Sequence, residues 1–223
     1  MSYPYTFFRP DQIEKLRERV VARLSEKRMK HVLAVENMAF RLGLLFFFND
    51  EEKLNLLRAA ALLHDVTKEL TDDEQLAILE HSSVKPLPED LASMPTIHAL
   101  TAALIIPEDF PEFADPRLID AVRYHTTGRE GMTLCEQIVY LADYIDDSRT
   151  FPDCVALREA FWGKNPADMS AEQRKTHLWR VLVQSFDMTS AGIIEDGAPV
   201  SPDTFCARND LILKLKIENT TEN

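Results

Sequence analysis

The chain has 223 residues, 45% hydrophobic and 28% charged, with a formal net charge of −12. That size and balance suit one folded domain and exclude a disordered chain, and the negative field disfavours DNA or RNA as a polymeric partner. Cys135, Cys154 and Cys206 form no C-x-x-C pair, which points to a reducing compartment and not to a disulfide scaffold. The N-terminus lacks the apolar stretch of a signal peptide, and the apolar run 42–48 is too short to span a bilayer. The expectation is a cytoplasmic protein with no membrane partner.

In chain order, Asp11-Gln12-Ile13-Glu14 reads as a cap opening the first helix. A second helix carries His31 early, with Leu33, Met38 and Leu42 on its apolar face. Asn49 with Glu52 opens a third, expected to run to about Lys68, and Thr71 with Glu74 a fourth. The segment 82–95 contains three prolines and reads as a loop. Asp115-Pro116 supplies a cap with proline at the first helical position. Thr133 with Glu136 and Ser170 with Gln173 repeat the capping box, with 163–169 as a loop between their helices. Apolar residues between these starts keep helical spacing, and no stretch alternates convincingly as a strand. The sequence predicts a single all-α domain over 1–205 with its functional core at about 28–152. A C-terminal helix and frayed tail follow at 206–223.

Four of the six histidines join two acids in a suggestive order: His31, His64-Asp65, His98, His125, Asp143. Alone, His64-Asp65 is a weak motif, readable as a helix end complementing its dipole. Asp143 is different, because an acid within Ile138-Val139-Tyr140-Leu141-Ala142-Asp143-Tyr144-Ile145 is expensive to bury unless paired or coordinated. Four imidazoles and two carboxylates on separate helices suit octahedral Fe, Mn, Co or Ni, and the absence of cysteine argues against structural zinc. Two such ions sharing Asp65 and a hydroxide would provide a nucleophile at neutral pH. His81 and His177 fall outside the pattern.

Cations accompany these ligands. Arg28, Lys68, Arg129 and Arg149 each lie within a few residues of one, and Thr126, Thr127 and Gly128 can add donors at a turn. Together they suit phosphate, with Lys68 and Arg129 the first candidates to hold its oxygens.

With these residues assembled, the chain resembles HD-domain metal-dependent phosphohydrolases, whose His, His-Asp, distant Asp pattern is matched by His31, His64-Asp65 and Asp143. More narrowly it resembles the bacterial YqeK family of symmetrical diadenosine tetraphosphate hydrolases. The matching stretches are residues 28–31, 61–70, Tyr124-His125-Thr126-Thr127-Gly128-Arg129 and 138–145, with Arg149 and Phe151-Pro152 also in order. Val32 stands where the family usually has Ser or Thr, and Ala99 where it usually has Gly. The resemblance implies an all-helical HD bundle, a di-iron centre and hydrolysis of diadenosine tetraphosphate to two ADP by a metal-bridging hydroxide. It implies His31, His64, Asp65, His98, His125 and Asp143 as the ligands, with Asp65 and Lys68 in catalytic roles. A homodimer is compatible with the sequence. The alternatives are an HD phosphohydrolase acting on a nucleoside monophosphate or guanosine tetraphosphate, and a nucleotide-sensing module without turnover.

Overall fold

The computed structural model describes residues 7–82, 84–86, 88–92 and 94–221, and among them there are helices and turns but no strand. In order, these are α1 (Pro10–Val21), α2 (Glu26–Phe46), α3 (Glu51–Leu63), α4 (Asp72–Glu80), α5 (Pro88–Ala92), α6 (Met94–Asp109), α7 (Pro116–Arg123), α8 (Leu134–Ile145), α9 (Pro152–Trp162), α10 (Ala171–Glu195) and α11 (Pro202–Thr221). The all-α reading holds.

The four starts at Thr71, Asp115, Thr133 and Ser170 are built as expected. Thr71, Thr133 and Ser170 accept from the backbone three residues on and receive the reciprocal bond that completes each capping box. Asp115 accepts from Arg117 N at 2.9 Å. Two starts move, the first by two residues and the second by one. Helix α1 opens at Pro10, so Asp11 lies in the first turn and binds Arg9 at 3.0 Å. Helix α3 is capped by Asp50, not Asn49, because it is the Asp50 carboxylate that accepts from Lys53 N, at 3.1 Å.

The segment expected as a loop over 82–95 contains α5 and the first turn of α6; residues 83, 87 and 93 lie outside the described residues. Pro88 opens α5 and Pro95 lies in the first turn of α6, where a missing N–H costs nothing, while Pro86 lies in the connection between α4 and α5. The loop 163–169 likewise holds a short 3-10 turn at Pro166–Asp168. At the C-terminus, helix α11 continues to Thr221, so the expected division at 205/206 falls inside one helix and most of the expected frayed tail is helical. Positions 222 and 223 lie outside the described residues.

Helix α3 is buried nearly all round, with Ala59, Ala60, Ala61, Leu62 and Leu63 fully inaccessible, and so forms the centre of the bundle. Helices α1, α2, α7 and α8 pack on it. Its small side chains allow close approach, and Gly43 does the same from α2: a Cβ there would lie 2.7 Å from Leu57 Cδ1. On α2 the buried face is Val32, Val35, Met38, Ala39 and Leu42, with Leu33 only half-buried. Helices α9, α10 and α11 close the other side of α8, and Ala207 and Leu211 of α11 join the core. None of the described helices is long and apolar enough to cross a membrane.

Candidate metal centre

Helix α3 ends five residues earlier than its periodicity suggests, and the reason is His64. Its Nδ1 lies 2.6 Å from the carbonyl of Ala61, the acceptor that the next residue's N–H would have used in a continuing helix. The chain then descends through turns in which Val66, Lys68 and Leu70 donate three residues back. His64 and Lys68 therefore do not share an α-helical face. Tyr124 closes α7 and the His125 ring repeats the device, with Nδ1 2.6 Å from the carbonyl of Val122. Both rings present Nε2 inward.

The bundle gathers the six expected ligand side chains. His31 comes from α2, His64 and Asp65 from the turn after α3, His98 from α6, His125 from the turn after α7, and Asp143 from α8. Asp65 stands between two pairs of imidazoles. Its Oδ1 is 3.1 Å from His98 Nε2 and 4.0 Å from His125 Nε2. Its Oδ2 is 3.5 Å from His64 Nε2 and 3.6 Å from His31 Nε2. Asp143 Oδ1 reaches His31 Nε2 at 3.0 Å and His64 Nε2 at 3.6 Å. Two overlapping groups could each hold an ion, His31-His64-Asp143 and His64-Asp65-His125, with ligand atoms within 4.8 Å of one another. The Nε2 atoms of His31 and His64 are fully buried and have no donor beside them, only the carboxylates of Asp65 and Asp143. A buried imidazole nitrogen without a donor is costly unless it holds a cation, so the donor set fits divalent metal.

His98 is oriented differently. Its Nδ1 lies 3.1 Å from Lys68 Nζ, and its Nε2 faces Asp65 and His125, the latter at 3.2 Å. Burial pushes the Lys68 ammonium below its usual range against the pull of Asp65.

Sequence reasoning missed Asp146. This residue is fully buried, lies 3.3 Å from His31 Nδ1, and accepts from Ser148 N at 2.8 Å. It gives His31 a carboxylate partner where His64 and His125 use backbone carbonyls. Its spacing three residues after Asp143, at the C-cap of α8, was the available signal.

Of the remaining phosphate candidates, Arg28 pairs with Asp65 Oδ2 at 2.6 Å and Arg149 with Asp143 Oδ1 at 2.6 Å, so both border the cluster. Arg129 is held by Glu136 at 2.5 Å and Asp120 at 2.9 Å and lies over the Tyr124 ring. Thr127 Oγ1 donates to the Gly128 carbonyl and Gly128 N to that of Tyr124, so these groups brace their own turn. Thr126 Oγ1 is buried without a hydrogen bond. Val32 and Ala99, the two departures from the family pattern, are both fully buried. Outside the cluster lies a cavity of about 1010 Å³ whose lining includes Arg28, His31, Arg149 and Phe151.

Burial dominates the charge states within. It depresses His125 to about 3, and His98 in the same direction, with Asp65 opposing. Burial also disfavours His31 cations, yet the carboxylates of Asp143 and Asp146 lift that ring to about 9. Asp65 and Asp143 stay well below the carboxylate range despite burial, Asp65 through His64 and His98, and Asp143 through Arg149 and His31. His98 and His125 therefore contribute stability that is complete above an unfolded value of about 6.5 and lost as pH falls. His31 contributes stability that is complete below about 6.5 and lost as pH rises through 9. The metal-free protein is expected to melt highest near neutral pH, with Tm dropping toward both pH 4.5 and pH 9.5. A Tm unchanged between pH 7 and 4.5 would contradict neutral burial of His98 and His125.

Comparison with known proteins places this geometry in context. Residues 28–147 match the HD domain model. The symmetrical bis(5'-nucleosyl)-tetraphosphatase of Bacillus subtilis is 32% identical over 195 residues, 86% of this chain and 94% of the relative. Its counterpart in Halalkalibacterium halodurans is 30% identical over 193 residues, covering 86% and 93%. A solved HD-superfamily hydrolase from Clostridium acetobutylicum, described as involved in NAD metabolism, superposes with a TM-score of 0.75 at 32% identity, over 90% of this chain and 97% of that one.

Proposed function

This chain belongs to the HD-domain family, in its branch of symmetrical bis(5'-nucleosyl)-tetraphosphatases, and on that premise we propose that it cleaves diadenosine tetraphosphate to two ADP. The observation that carries the reading is the Asp65 carboxylate, each oxygen facing its own pair of histidines beside a cation-bordered cavity.

His31, His64, Asp65, His98, His125 and Asp143 would hold two divalent ions, Fe first and Mn, Co or Ni also accepted. Such ions, when bound, supply an activated water and absorb charge on the attacked phosphate. The chain's own groups do the rest. Arg28 and Arg149, both anchored on ligand carboxylates, present the remaining faces of their guanidinium groups to phosphate oxygens. Lys68, set against His98, supports the oxygens that gain charge. ADP leaves as a weak base, so no dedicated general acid is required.

Product analysis tests the reading. Metal-assayed protein incubated with diadenosine tetraphosphate is expected to yield ADP alone on chromatography. AMP with ATP would overturn the symmetric register while keeping the metal chemistry. No product with two metals bound would move the reading to another phosphorylated substrate or to a nucleotide sensor.

A further inference from the structure

The cavity outside the cluster is lined by an aromatic residue whose ring neither the fold nor the metal chemistry uses. Phe151 is 66% exposed, yet it lines the same cavity as Arg28, His31 and Arg149. An exposed aromatic ring alone means little. Three features distinguish this one.

First, its backbone is fixed. Phe151 caps α9 at φ −62°, ψ 139°, the extended conformation that the following Pro152 imposes. Second, the loop that presents it is braced from behind. Arg158 donates to the carbonyls of Ile145 at 2.8 Å and Arg149 at 2.8 Å, and to that of Asp146. The ring is therefore exposed on a rigid support and not on a loose tip. Third, its surroundings are cationic in a strongly acidic protein. Lys27, Arg28, Lys30 and Arg149 line the cavity against Glu26 and Glu69. Glu26 pairs with Lys30 at 2.7 Å and Glu69 accepts from Ser25 N at 2.8 Å, which leaves Lys27 with Arg28 and Arg149, the two arginines also paired with Asp65 and Asp143, as the cations of the cavity.

Arg149 and Phe151 are two residues apart, so their Cα atoms lie within about 7 Å. One grips the edge of the metal cluster and the other offers a flat apolar face. A ligand matching both is a polyphosphate that ends in a planar base.

We propose that Phe151 is the stacking platform for a nucleobase of the bound substrate, with the cavity holding that nucleoside and its phosphates running past Arg149 to the cluster. This deepens the tetraphosphatase reading by assigning the base-binding half of the same site. Stacking on an aromatic face is tolerant of base identity, so the subsite selects nucleotides over bare polyphosphate without strong preference among bases.

The test compares wild-type protein with Phe151→Ala and Phe151→Trp, using ADP and inorganic tripolyphosphate as probes in calorimetric titrations. Phe151→Ala is expected to weaken ADP about tenfold or more, the scale of one lost base stack, while tripolyphosphate binding stays within about twofold. Phe151→Trp is expected to restore ADP affinity and to show indole quenching on binding. Both variants should melt as wild type does, because the exposed ring contributes little burial. Equal ADP affinity in wild type and Phe151→Ala overturns the proposal, as does equal loss of both probes. Wild type that binds ADP through Phe151 but leaves diadenosine tetraphosphate intact would sustain the subsite and defeat the tetraphosphatase reading.

Discussion

Asp65→Ala is expected to lower turnover at least about 10³-fold and to reduce the bound metal, with the helical content unchanged. Both Asp65 oxygens are committed, to His98 and His125 on one side and to His31, His64 and Arg28 on the other. No neighbouring group can replace a carboxylate that faces four imidazoles at once. A bound ion contributes several kcal/mol to charge stabilisation, and each 1.36 kcal/mol is a factor of ten in rate. The fold should survive, because Arg28, the cation left behind, is about one-quarter exposed and can reach water. His81→Ala is the control, since His81 is exposed and bonds only its own helix end in the contacts seen. Turnover and elemental analysis on the two variants decide the matter. Full activity with two metals in Asp65→Ala would remove Asp65 from the centre.

Gly128→Ala is expected to destabilise the protein by about 2–5 kcal/mol, combining left-handed strain of about 1–2 kcal/mol with overpacking of about 1–3 kcal/mol. Gly128 sits at φ +65°, and a Cβ there would lie 2.7 Å from Phe186 Cζ and 2.9 Å from Ala207 Cβ. Phe186 cannot swing aside, being fully buried against Tyr140 with ring centroids 4.7 Å apart. The turn that carries His125 is thus wedged against α10 and α11. A loss of this size is a large share of an ordinary domain's stability. Urea denaturation measures it, and an unchanged midpoint would show that the close approach at this turn is not required.

The contrast between these residues shows what the sequence reveals and what it hides. Capping boxes at Thr71, Thr133 and Ser170 are local, needing only a hydroxyl and a partner three residues on, and they were legible. The stop of α3 at Leu63 was not, because no glycine or proline announces it and the ring of His64 takes the carbonyl that the helix needed. The helices beginning at Pro88 and Met94 were hidden because proline punctuates loops and opens helices alike. Within the site, residue type and order picked out side chains that the bundle brings together. The partners of those side chains were less visible. That Arg129 faces Glu136 and Asp120 follows from how α7 and α8 meet, and that Asp146 stands behind His31 from how α2 and α8 meet; for Asp146 only the spacing from Asp143 gave a local signal.

His64 and His125 each follow the helix that delivers them, with Nδ1 against a carbonyl three residues behind. The orientation of these rings is consequently a property of chain length and not of side-chain packing. One residue inserted within α3 would turn the imidazole about 100° around the helix axis. No compensating substitution at the surface could turn it back. A change of length can therefore be absorbed in the connection between α4 and α6, but not within α3 or α7, the helices that end at these rings.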